Sequence, residues 1–158
     1  MAITILCPSS LNKDTVIKSL CDDYIKRIQD DIQIIECAIK TKSKDTGDVI
    51  KQKQAESVLK QIEKLPKNTA LIALDERGQK LSSTALSKQL DKMELQGFSS
   101  FCYIIGGAYG LGQTVLDKVD FKLSFGEMVW PHRLIAVMLL EQIYRAYQIR
   151  SGHPYHKY

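Results

Sequence analysis

Apolar extended runs alternate with helical stripes five times along this chain, and that order constrains the fold more than any other feature. Residues 2–7 ("AITILC") read as a short strand ended by Pro8. From Asn12 to about Gln29, apolar residues at Val16, Ile17, Leu20, Cys21, Tyr24, Ile25 and Ile28 form a helical stripe. The β-branched "IQIIECAI" (32–39) predicts a second strand, and "KTKSKDTGD" (40–48), with no large apolar residue, a mobile loop. A helix from about Asp48 to Leu65 precedes the strand "TALIALD" (69–75). Ser82 or Ser83 caps a helix that ends near Gly97. "FCYIIGG" (101–107) is a fourth strand, a short helix spans about Gly112 to Val119, and "FKLSF" (121–125) is a fifth strand. Pro131 suits the first turn of a long helix reaching about Ile149. The central strands are apolar without period-2 alternation. This predicts an α/β domain, residues 1–158, with a mostly parallel sheet flanked by helices on both faces.

The last helix, "PHRLIAVMLLEQIYRAYQI", is apolar around more of its circumference than one sheet face can cover. Such a helix is buried or shared between subunits, and the expectation here is a homodimer. No apolar run approaches the roughly 20 residues of a membrane span, and the N-terminus lacks the pattern of a signal peptide. A cytoplasmic protein with no membrane partner is expected. Cys7, Cys21, Cys37 and Cys102 show no C-x-x-C spacing, and no His, Cys or carboxylate cluster has ligand spacing, so no metal is expected. The net charge of +4 and the lysines at 40–44 and 51–53 make RNA or another polyanion a plausible partner.

Residues 104–114 read "IIGGAYGLGQT", with glycines at 106, 107, 110 and 112. "GAYGLGQT" fits a P-loop except that Gln113 stands where the phosphate-binding lysine belongs, which argues against an NTPase. The dinucleotide fingerprint fails on register and follows the fourth strand instead of the first. Glu127, twenty residues beyond Gly107, would suit a ribose-binding acid, so an NAD(P)-binding oxidoreductase stays open. Ligands of such sheets lie beyond the carboxyl ends of the strands, here Leu74-Asp75, Gly106-Gly107 and Phe125-Gly126.

"LDERG" (74–78), "IIGGAYGL" (104–111), "LSFGEMVWPHRL" (123–134), "EQIYRAYQI" (141–149) and "GHPYHKY" (152–158) together, in this order and spacing, resemble the RlmH family of bacterial rRNA methyltransferases, within the SPOUT superfamily. The resemblance covers essentially the whole chain. It implies a SPOUT-type fold with a C-terminal trefoil knot, an exception to the rule that chains avoid knots. It implies S-adenosylmethionine as cofactor, a homodimer, and methylation of N3 of a pseudouridine in the intersubunit stem-loop of 23S rRNA on assembled ribosomes. Carried over, the cofactor-binding residues are Leu74, Gly107, Gly126, Glu127, Met128, Val129, Trp130 and Pro131. The chain departs from the family pattern at Tyr109 and in "FGEMVWPH".

A uracil-type N3–H must lose its proton before it attacks a methyl sulfonium. The catalytic candidates are Arg145, to hold phosphate or base carbonyls, His153, to accept a proton, and Tyr155, to stack on the base. His156 belongs to the same group, and His132 reads as a hydrogen-bonding support beside the pocket. The ring-rich tail is expected to cross to the partner subunit and complete its site. A noncatalytic ribosome-binding protein is the remaining alternative.

Overall fold

A computed structural model describes residues 1–157. One sheet collects β1 (Ala2–Cys7), β2 (Asp31–Glu36), β3 (Thr69–Lys80), β4 (Ser100–Ile105) and β5 (Phe121–Ser124), all parallel, in the order β2-β1-β4-β3-β5. The helices are α1 (Thr15–Arg27), α2 (Gly47–Ile62), α3 (Ser83–Leu95), α4 (Gln113–Leu116) and α5 (His132–Arg150). Alternate strand residues explain the layering. Ile3, Ile5, Ile72, Leu74, Phe101, Tyr103 and Leu123 pack with buried residues of α1, α3 and α5. Leu6, Ala73, Cys102 and Ile104 pack with those of α2 and α4 on the other face. Both faces are covered, as runs of unalternating apolar residues require.

The helix starts follow local chemistry. Side chains of Asp14, Thr46 and Ser82 accept hydrogen bonds from the backbone N–H groups of Ile17, Val49 and Ala85, which satisfies donors the first turn leaves free. Pro131 differs slightly from expectation. It precedes α5 as its cap residue, with ψ 133°, so the helix proper opens at His132.

Three further differences arise from contacts distant in sequence. β3 does not end at Asp75. Its pairing with β5 skips from Leu74 to Gln79, both opposite Leu123, so residues 75–78 bulge out and the strand resumes. The lysine-rich segment is irregular, as expected, but tied down. Asp45 accepts from the Lys42 N–H at 2.8 Å and from Lys53 Nζ at 2.6 Å, and Lys53 also donates to the Lys40 carbonyl. Finally, α5 packs against both α1 and α3, and Ala136, Leu139, Leu140, Ile143 and Ala146 are buried within the one chain. Two flanking helices thus cover much of the apolar circumference that suggested a subunit interface. Val16 and Leu20 of α1 and Leu134 of α5 stay exposed.

Candidate functional site

The carboxyl ends of β3, β4 and β5 converge on a cleft of about 870 Å³. Its floor is Leu74 and Leu123, and the loop after β4 (Gly106 to Leu111) forms one wall. Phe125, Gly126 and Met128 to Pro131, on the loop entering α5, form another, and the bulge residues Asp75 to Arg77 a third. A parallel sheet with a break in chain order places a ligand at such an end.

Close backbone approach explains the glycines. A Cβ on Gly107 would lie 2.5 Å from Oε1 of the buried Gln54. Gln54 in turn donates to the Pro8 carbonyl, which ties α2, the end of β1 and the Gly-rich loop together. Gly126 has φ 115°, a conformation other residues rarely adopt, and its N–H is accepted by Ser124 Oγ, which itself donates to the Glu76 carbonyl. One hydroxyl thereby positions two walls of the cleft.

Of the expected cofactor-binding residues, Leu74, Gly107, Gly126, Met128, Val129, Trp130 and Pro131 all line this cleft. Glu127 does not. Its side chain is 83% exposed and ion-paired with Lys80. Met128 and Val129 are exposed and belong to no core cluster.

His132 lines the cleft and shares a 2.6 Å hydrogen bond with Ser9. Burial, with Arg133 adding to it, holds its pKa below the ordinary 6.5. Asp75, Arg77 and Lys51 also line the cleft, although sequence reasoning did not single them out as site residues. The Asp75 side chain is 7% exposed and bound bidentately by Arg77, at 3.0 and 2.9 Å, which holds the carboxyl well below the usual carboxylate range. The carboxylate at the strand end was visible in "LDERG"; its burial was not.

Arg145, His153 and Tyr155 do not line the cleft of their own chain. Arg145 and Tyr155 gather instead around Glu141, whose Oε1 accepts from Arg145 Nε at 2.9 Å, Arg145 Nη2 at 2.6 Å and Tyr155 Oη at 3.2 Å. The guanidinium lies over the Tyr155 ring at 4.8 Å, Tyr144 meets that ring edge-on at 4.8 Å, and His156 bridges Arg145 and Thr84. His153 is exposed and its Nδ1 accepts from the Tyr155 N–H. The described part of the tail therefore folds back on α5 of its own chain; Tyr158 lies outside the described residues. Sequence reasoning missed Glu141, and the signal was its i,i+4 spacing from Arg145. Glu141 also borders a second cavity of about 570 Å³, which shares Leu123, Phe125 and Gly126 with the cleft. Burial and the Glu141 carboxylate raise the Tyr155 pKa, so the phenol stays protonated as a donor. Among the described residues no group of three or more His, Cys, Asp or Glu gathers to hold a metal, and no helix is long and apolar enough to cross a membrane.

An α/β sheet whose last three strand ends and following loops form a Gly-lined cleft has the architecture of a nucleotide-binding α/β protein. Residues 1–156 match the family described as "Predicted SPOUT methyltransferase", and the chain belongs to that family. Curated relatives carry the name "Ribosomal RNA large subunit methyltransferase H", three of them as follows. That of Halothermothrix orenii is 46% identical over 108 residues, covering 68% of this chain and 66% of its own. That of Clostridium novyi (strain NT) is 38% identical, covering 99% of this chain and all of its own length. That of Clostridium botulinum (strain Kyoto / Type A2) is 39% identical, covering 92% and 93%.

Proposed function

We propose that this chain is an S-adenosylmethionine-dependent rRNA methyltransferase, cytoplasmic and homodimeric, that methylates N3 of a pseudouridine in the intersubunit stem-loop of 23S rRNA on assembled ribosomes. The observation that carries the reading is the cleft at the ends of β3, β4 and β5, seven of whose lining residues are those the family resemblance assigns to the cofactor. The names of the curated relatives support the substrate. The oxidoreductase alternative loses its one favourable feature, because Glu127 is exposed and paired with Lys80 instead of facing the cleft.

The residues present suit the cofactor. Gly107 brings main chain where a Cβ would collide with Gln54, and the apolar Leu74, Leu123, Met128 and Trp130 suit a flat base. When bound, S-adenosylmethionine supplies an electrophilic methyl group on a sulfonium. The protein's part is to orient and to strip a proton from the attacking nitrogen. His132, kept neutral by burial, adds no positive charge beside a cationic ligand. Arg145, anchored by Glu141, holds phosphate or the base carbonyls as negative charge develops on the ring, Tyr155 offers a face for the flipped base, and His153 accepts the N3 proton.

Because these three residues sit away from their own chain's cleft, the complete site takes the cleft from one protomer and the Arg145 cluster and tail from the other. Exposed Val16, Leu20 and Leu134 on adjacent α1 and α5 suit the face where two protomers meet. The trefoil knot belongs to the same proposal and rests on the family match over residues 1–156. The test is incubation with labelled S-adenosylmethionine and free rRNA, isolated large subunits or whole ribosomes. Label should enter 23S rRNA at one pseudouridine, and most with whole ribosomes; no label in any arm refutes the reading.

A further inference from the structure

We infer that residues 40–53, together with Tyr109, form a docking platform for the sugar–phosphate backbone of RNA beside the nucleotide being modified, an inference that rests on the rRNA methyltransferase reading. The charge is concentrated there. The segment holds five lysines against two aspartates, a net +3 of the chain's +4. Lys53 is spent on Asp45, while Lys40, Lys42, Lys44 and Lys51 enter no ion pair among the described residues. Lys40, Lys42 and Lys44 are exposed.

The platform is built, not merely basic. Asp45, its side chain 9% exposed, grips the Lys42 N–H and the Lys53 ammonium, so the turn carrying the free lysines has a fixed shape. It is also joined to the cleft. The half-exposed Tyr109 ring, on the Gly-rich loop, lies on Gly47, where a Cβ would stand 2.7 Å from Tyr109 Cε1. A Cβ on Gly112 would come within 2.9 Å of Ala55 Cβ, so α2 packs directly against this loop. Lys51 of α2 lines the cleft wall itself. Free ammonium groups on a segment that meets an exposed aromatic ring at Gly47 suit phosphates flanking an unstacked base, the chemistry of looped or single-stranded RNA. RNA held here lies at a fixed offset from the methyl donor.

The test compares the wild type with the Lys40→Gln/Lys42→Gln/Lys44→Gln protein. Binding to whole ribosomes and to naked large-subunit rRNA is measured across a salt series, alongside methyl transfer and S-adenosylmethionine affinity. The triple variant should raise KM for ribosomes roughly tenfold or more, and flatten the plot of log affinity against log salt by about 2 in slope. Its cofactor affinity and kcat should be unchanged. Tyr109→Ala should weaken RNA binding roughly tenfold and Tyr109→Phe should not, since the stacking face survives. Unchanged affinity and slope in the triple variant overturns the platform. So does a loss confined to whole ribosomes, with naked rRNA unaffected, because the partner would then be a ribosomal protein. A wild type that transfers no methyl group, yet binds RNA through these lysines, refutes the methyltransferase reading and leaves the platform standing.

Discussion

Gly107 shows how one atom governs the cleft. Its missing Cβ leaves room for Gln54 Oε1, and Gln54 cannot retreat because its amide nitrogen is bonded to the Pro8 carbonyl while the side chain is buried. Gly107→Ala should cost about 1–3 kcal/mol of stability through overpacking. It should also weaken S-adenosylmethionine binding by at least about tenfold, read by calorimetry on protein still folded at the working temperature. His132 makes a separate prediction. Burial lowers its pKa in the folded state below the ordinary 6.5, so in that window the unfolded chain binds more protons. Its stabilising contribution is therefore fully present above 6.5 and is lost as the pH falls towards the depressed folded value. Urea midpoints at about pH 7.5 and 5.5 should fall further apart for the wild type than for His132→Asn. Both residues were legible as pocket residues from their place after an apolar strand or before a long helix. The Gln54 contact and the Ser9 hydrogen bond were not, because each joins residues tens of positions apart.

At the scale of elements, periodicity located nearly every strand and helix and Ser82 was legible as a cap, whereas the caps Asp14 and Thr46 emerged only in the structure. The β3 bulge escaped that reading, since its cause lies on β5. A Cβ on Gly78 would stand 2.7 Å from the Lys122 carbonyl and 2.8 Å from the Leu123 backbone carbon. Backbone yields less readily than a side chain. Gly78→Ala should cost about 2–3 kcal/mol, a fall in Tm of about 4–12 °C, and should loosen cofactor binding as Asp75 to Arg77 shift. A Tm within a degree of wild type, read calorimetrically, would refute the steric account. α5 carries the opposite lesson. Its all-round apolarity was read as a subunit interface, whereas α1 and α3 together hide much of it within one chain.

For the whole molecule, the α/β class and the site of the cleft could be read in the sequence, because chain order and the apolar character of parallel strands set both. The relation of the tail to the cleft could not, since the contacts that fold the tail back on α5 join Tyr155 and His156 to residues of other turns and elements. The Arg145 cluster is intact within one chain yet borders a different cavity from the cleft at the ends of β3, β4 and β5. Deleting residues 152–158 should abolish methyl transfer to ribosomes while leaving S-adenosylmethionine affinity and the dimer, read by ultracentrifugation, nearly unchanged. Full activity in the truncated protein would remove the tail from the site.

The central claim is that the ends of β3, β4 and β5 hold the methyl donor. Calorimetric titration of the protein with S-adenosylmethionine, repeated with its demethylated product, tests it most directly. The account predicts saturable heat with both ligands at one site per chain, and a marked loss of affinity in Gly107→Ala. Absence of heat with either ligand, or undiminished binding in that variant, would contradict it.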